Sequence, residues 1–173
     1  MLCRMSLRSA FRASVPRMRW SRQGLLAEGF EGFVSWTTLS QRDLPGEGGV
    51  YVVLRESGDL PDFLDKSVGG HFKAKDPTVA VRVLANEWVE GAQVVYIGKA
   101  SSLRNRIWQY RQFGAGRPIG HWGGRYVWQL DESQNLAVAW RTTPDQDPRD
   151  VERALIADFV RDYGRRPFAN LSG

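Results

Sequence analysis

Arg106 and Tyr110 stand four residues apart in Leu103-Arg104-Asn105-Arg106-Ile107-Trp108-Gln109-Tyr110. At that spacing they leave the same side of a helix, one turn from each other. The segment before them, Val94-Val95-Tyr96-Ile97-Gly98, is an apolar β-branched run that stops at a glycine. Leu103, Ile107 and Tyr110 recur at helical spacing and predict a helix over 102–113, with Ser101 or Ser102 placed to cap it. A strand end, a glycine, a helix start and a same-face Arg/Tyr pair make a corner suited to handling phosphate. The same residues also describe an ordinary βα unit with a solvated arginine.

A second chemical signal comes late in the chain. Pro148 starts a helix predicted over 149–163, whose inward stripe is Leu155, Ile156, Phe159, Val160 and Tyr163. Glu152 falls on that stripe. An ionised carboxylate against apolar neighbours is costly unless a cation or hydrogen-bond donors meet it. Glu152 therefore suggests a metal or an arginine partner, or else a first-turn acid favoured by the helix dipole.

The elements that must hold these residues follow from pattern. Folding is expected to begin near Phe30, with a short strand about 32–36. Leu44-Pro45-Gly46-Glu47-Gly48 is a turn signal that delivers the apolar run Gly49-Val50-Tyr51-Val52-Val53-Leu54 as a strand. Asp76-Pro77 marks a helix start, and Val79, Val83, Leu84 and Trp88 support a helix over 77–88, although Val79 to Leu84 could also form a strand. Alternation in Arg125-Tyr126-Val127-Trp128-Gln129-Leu130, a turn at 131–134, and Leu136, Val138 and Trp140 on one face predict a β-hairpin over 125–141. Strands with helices between and after them give the α+β class, a small mixed or antiparallel sheet of three or more strands flanked by helices.

Charge is unevenly spread along the 173 residues, whose net charge is +5. Residues 1–27 carry Arg4, Arg8, Arg12, Arg17, Arg19 and Arg22 and no acid. Residues 1–28 are expected to be a disordered basic arm, although the composition equally fits an organellar transit peptide or an upstream start with Met18 as the true one. Positions 91–130 hold Lys99, Arg104, Arg106, Arg111, Arg117 and Arg125 and again no acid. That local excess is what a polyanion-binding surface needs, and it is also what a solvated basic face looks like. Trp108, Phe113 and Trp122 lie in the same stretch, where they could stack on splayed bases or serve the core.

Other classes are excluded. No apolar run approaches the roughly 18–20 residues that span a bilayer, so no membrane helix is expected. One cysteine, Cys3, forbids an internal disulfide and suggests a reducing compartment or indifference to redox state, and a cytoplasmic setting is expected. One cysteine and two histidines, His71 and His121, are too few for a structural zinc site, so any metal should be hard and carboxylate-bound.

Taken together, Gly49-Val50-Tyr51 and Tyr96-Ile97-Gly98, followed by Lys99-Ala100, Leu103, Arg106 and Tyr110, resemble the paired motifs of the GIY-YIG nuclease superfamily. The order and spacing are similar to those of the nuclease domains of excision-repair incision proteins and of intron homing endonucleases. Glu152-Arg153-Ala154-Leu155-Ile156 resembles the family's metal-binding helix, and Pro167-Phe168-Ala169-Asn170 its closing Pro-x-x-Asn. Residues 56–92 depart from the pattern, because the family usually joins its two tyrosine strands by a tight hairpin. The gap from Glu152 to Asn170 is also longer than usual, and an alternative register would put Asp158 in the metal role.

The resemblance implies residues 29–173 as one nuclease domain with an insertion at about 56–92. It implies a DNA endonuclease leaving 5′-phosphate and 3′-hydroxyl ends, with RNA as another substrate, or a non-catalytic nucleic-acid-binding relative. It carries catalytic roles to Tyr51, Tyr96, Arg106, Tyr110, Glu152 and Asn170, with Tyr51 as base for water. Glu152 would hold one Mg²⁺ or Mn²⁺. Lys99, Arg104, Arg111, Arg117 and Arg125 are the expected nucleic-acid contacts.

Overall fold

The computed structural model describes residues 19–171 of the chain. Four strands form one antiparallel sheet: β1 (Glu31–Ser35), β2 (Gly49–Leu54), β3 (Val94–Ala100) and β4 (Ala137–Thr142), in the order β1-β4-β2-β3. The helices are α1 (Arg22–Ala27), α2 (Val81–Glu87), α3 (Leu103–Gly114) and α4 (Pro148–Tyr163). This is the expected α+β class, an antiparallel sheet flanked by helices. Among the described residues no helix is long and apolar enough to cross a membrane.

Strand β2 is buried along its whole length, which explains why it reads as a continuous apolar run rather than an alternating one. Tyr51 and Val53 face one way, into a core built with Leu103, Ile107, Tyr110 and Phe113 of α3. Val50, Val52 and Leu54 face the other way, against Val151, Leu155 and Phe159 of α4. Each main helix has a local reason to start where it does. Ser102 accepts a hydrogen bond from the Asn105 N–H, and Asp147 accepts one from Arg149 with Pro148 at the first helical position. Helix α4 ends at Gly164, whose φ of 77° is the left-handed conformation that stops a helix.

Three expectations are corrected. The predicted hairpin over 125–141 does not form, because Trp122–Gln129 is a 3₁₀ segment and only Ala137–Thr142 is a strand. Tyr126 to Leu130 are buried in succession, so their alternating polarity does not correspond to alternating faces. Gln129 is the clearest case: its side chain donates to the carbonyls of Leu64 and Val79 and accepts from the Val79 N–H. The helix expected over 77–88 is confined to Val81–Glu87, since the Asp76 carboxylate instead turns back to the Thr78 N–H at 2.8 Å.

The folded body also begins before Phe30. Residues 19–28 of the expected basic arm contain α1, with Trp20 and Leu25 buried. Arg19 pairs with Glu28 and Asp158, and Arg22 with Glu56, so these charges serve the fold. Residues 1–18, the rest of that arm, lie outside the described residues.

The link between β2 and β3 is fastened rather than trailing. Arg55, buried at its start, bonds Glu132 and the carbonyls of Ser57 and Asp59. Further along, Phe63 bridges to Leu130 and the Gly70 N–H donates to the Phe113 carbonyl.

Candidate active site

The pairing of β2 with β3 sets the site. Tyr51 stands opposite Gly98 and Val53 opposite Tyr96, which puts both tyrosines on the α3 face of the sheet. Their ring centroids are 5.9 Å apart. Gly98 is required by this packing, for a Cβ there would lie 2.5 Å from Cζ of Tyr51. The final glycine of Tyr96-Ile97-Gly98 is thus the space in which the Tyr51 ring sits.

Helix α3 brings Tyr110 and Arg106 over that face. The Tyr110 ring is 5.4 Å from Tyr96 and 6.3 Å from Tyr51, and its hydroxyl donates to the Gly124 carbonyl at 2.6 Å. Tyr110 is fully buried with its hydroxyl turned to backbone, so it braces the tyrosine cluster from the core side. Arg106, one turn earlier, is half-buried, and its Nη1 donates to the Gly120 carbonyl at 3.4 Å. Its charge reaches Tyr51, Tyr96 and Tyr110 and opposes the effect of burial on each.

His121 belongs to the same cluster. It is fully buried, stacked on Tyr110 at 3.8 Å with a 9° tilt, and its Nε2 lies 3.0 Å from the Tyr51 hydroxyl. Burial holds the imidazole well below its ordinary pKa, with Arg106 adding to the effect. Burial pushes Tyr51 and Tyr110 well above theirs, and Tyr96 upward as well. The resting pair is therefore a neutral phenol beside a neutral imidazole. Sequence reasoning weighed His121 only as a zinc ligand. Its true neighbours are fixed by tertiary packing, since the chain around it is an irregular Gly-rich loop.

Glu152 comes from α4, on the opposite face of the sheet from the ring cluster, and meets Lys99 of β3. Its side chain retains 18% exposure, and its carboxylate lies 2.6 Å from Lys99 Nζ. Tyr96 experiences the Glu152 charge and the Arg106 charge together. Tyr96 keeps 7% exposure while Tyr51, Tyr110 and His121 have none, so it is where solvent meets the ring cluster. Asp158 does not take part: it pairs with Arg19 and Arg161. Among the described residues no group of three or more His, Cys, Asp or Glu gathers to hold a metal ion.

Asn170 acts on the backbone. Its Oδ1 accepts from the Ile97 N–H at 2.8 Å and its Nδ2 donates to the Ile97 carbonyl at 2.7 Å. With the Ala169 N–H donating to Val95, the C-terminal segment closes the outer edge of β3 beside Tyr96.

The expected nucleic-acid contacts are not gathered into one patch. Arg104 donates to the Leu44 carbonyl and Arg111 to that of Trp36 while lying over Trp108. Arg125 lies against Trp122 and Tyr126, and Arg117 is exposed on the segment after α3. Lys99 and Arg106 do converge, joined by Arg149, which the sequence did not single out. They line a cleft of about 570 Å³ between the first turns of α3 and α4. Compared with family models, curated proteins and solved structures, the chain matches none.

Proposed function

We propose that this protein is a metal-dependent endonuclease of the GIY-YIG kind that hydrolyses DNA to 5′-phosphate and 3′-hydroxyl ends. The supporting observation is that Lys99, on the strand that carries Tyr96, lines both the cleft that holds Arg106 and the adjoining one that holds Glu152. Residues from β3, α3 and α4 thereby share one surface.

Each residue has a role that its setting favours. Arg106, with no acidic partner among the described residues, offers its donors to the phosphoryl oxygens as charge builds. Tyr96 positions water at the surface. Tyr51 has no solvent exposure, so the proton of that water would reach it through the Tyr96 hydroxyl, while Nε2 of His121, 3.0 Å away, orients the Tyr51 hydroxyl. Burial opposes the tyrosinate character this requires, and the Arg106 charge acts the other way and favours it.

Glu152 is a hard oxygen donor, and among the described residues no three or more potential ligands gather to hold a metal, which fits an ion that keeps several waters and adds substrate oxygens. Glu152 would hold one Mg²⁺ or Mn²⁺, supplying charge relief to the phosphoryl group and to the leaving 3′-oxygen. Lys99, displaced from the carboxylate, would then turn to the substrate phosphate.

A binding module without turnover is the second reading, and the Lys99–Glu152 pair, which occupies the Glu152 carboxylate, favours it. Supercoiled plasmid with Mg²⁺ separates the two, tested beside Glu152→Ala and Tyr51→Phe. Nicking by the wild type that both substitutions abolish supports the enzyme. Binding without nicking supports the module.

A further inference from the structure

Two concavities open on either side of Lys99 and Arg149, and their linings differ in chemistry. The cleft of about 570 Å³ between α3 and α4 presents Ser101, Ser102 and Asn105 beside Arg106, with the Asp147 carboxylate and Pro148 on the α4 side. The other, of about 620 Å³, follows the flank of α4. Its apolar part is made by Ile156, Ala157 and Val160 along the open face of α4, and its polar part adds Arg153, Arg166 and the Glu152 carboxylate, which Lys99 holds, to the shared pair. Among the described residues neither Arg149 nor Arg166 has an acidic partner within ion-pair distance.

An apolar face flanked by cations matches a nucleotide whose base is free: the base covers the face and the flanking phosphates meet the cations. Cavities of roughly 300–1,000 Å³ hold groups of small-molecule size, the scale of one or two nucleotides. A paired strand keeps its bases in the stack and would leave the apolar face uncovered.

We propose that the DNA strand bound here is unpaired on the α4 side, with one base laid on Ile156, Ala157 and Val160 and its phosphates crossing Lys99 and Arg149. The inference rests on the nucleic-acid reading of the same site and narrows its substrate to flapped, branched or single-stranded DNA.

Fluorescence anisotropy with a labelled single-stranded oligonucleotide and its duplex, in EDTA, tests this on wild type, Ala157→Glu and Arg166→Ala. Ala157 is exposed in mid-helix and glutamate is a good helix former, so the variant should fold; a circular-dichroism melt checks it. The wild type should prefer the single strand. Ala157→Glu should weaken single-strand binding by about tenfold or more, the scale of one lost base contact. Arg166→Ala should weaken it through the lost phosphate contact. Duplex binding should change by about twofold or less. Equal affinity for duplex and single strand, or single-strand binding that survives Ala157→Glu, overturns the inference. In Mg²⁺, equal cleavage of flap and plain duplex overturns it while leaving the endonuclease reading intact. No cleavage of any substrate, with the single-strand preference and the Ala157 effect present, sinks the endonuclease reading and leaves this inference standing.

Discussion

The Tyr51 hydroxyl lies 3.0 Å from Nε2 of His121 in a pocket where neither ring is exposed to solvent. Nδ1 of His121 is buried and has no hydrogen-bond partner among the described residues. The imidazole therefore exchanges protons toward Tyr51 or not at all.

That burial should be visible as acid sensitivity. Unfolded, His121 titrates near its ordinary value of 6.5; folded, it titrates well below. Above 6.5 neither state is charged and stability is unaffected. Below 6.5 the unfolded chain takes up a proton that the folded one refuses, so stability falls at up to about 1.4 kcal/mol per pH unit. Melting curves from pH 7 to pH 5 should show this slope in the wild type and a shallower one in His121→Phe.

Tyr51→Phe keeps the ring over Gly98 and removes the hydroxyl. Stability should change by about 1 kcal/mol, the worth of one hydrogen bond. Plasmid nicking should fall by roughly 10²-fold or more, the usual scale of general acid–base catalysis. Single-turnover rates measured beside a denaturant titration check both, and a variant that nicks at the wild-type rate removes Tyr51 from the mechanism.

Gly98→Ala would set a methyl group 2.5 Å from Cζ of Tyr51. The ring must move, and overpacking of this kind costs about 1–3 kcal/mol. The expected result is a folded but destabilised protein that loses activity along with Tyr51→Phe, measured by urea unfolding and by nicking.

Lys99 and Glu152 should be separable by metal binding. Glu152→Gln should abolish Mn²⁺ binding and cleavage together. Lys99→Met frees the carboxylate from its 2.6 Å partner, so Mn²⁺ should bind more tightly while cleavage slows for want of a phosphate contact. Calorimetry with Mn²⁺ reads the first effect, and unchanged affinity in Lys99→Met would show that the ion pair does not compete.

Asn170→Ala removes both bonds to Ile97 and leaves that strand position open to water or to another strand. A loss of about 1–3 kcal/mol is expected, with hydrogen exchange at the Ile97 amide accelerated relative to Val52 in the centre of the sheet.

The strands β2 and β3 and the helices α3 and α4 were legible because apolar spacing and caps agree: Ser102, Asp147 and Pro148 all stand where the helices begin. The convergence of Tyr51, Tyr96 and Arg106 could be expected from a resemblance, while its cause, the ring of Tyr51 lying over Gly98, is a fact of register. Trp122–Gln129 misled because a segment buried on all sides has no solvent face to impose a period, and Gln129 in it serves as a connector. Arg19 and Arg22 read as a basic arm because Asp158 and Glu56, which pair with them, are distant in the chain. His121 was hidden for the same reason, since nothing near it in sequence announces Tyr51. Arg104, Arg111 and Arg125 lengthened the basic run, yet each is tied to a backbone carbonyl or an aromatic ring.

The two hydrogen bonds between Asn170 and Ile97 span 73 positions. A nascent chain can pair β2 with β3 long before that asparagine leaves the ribosome, and in the interval the outer rim of β3 is a bare template for any extended peptide. Synthesis and assembly of the site are therefore out of step. The newborn protein is exposed to strand-swapping with its neighbours until the segment around Asn170 docks, and it gains a finished cleft only then.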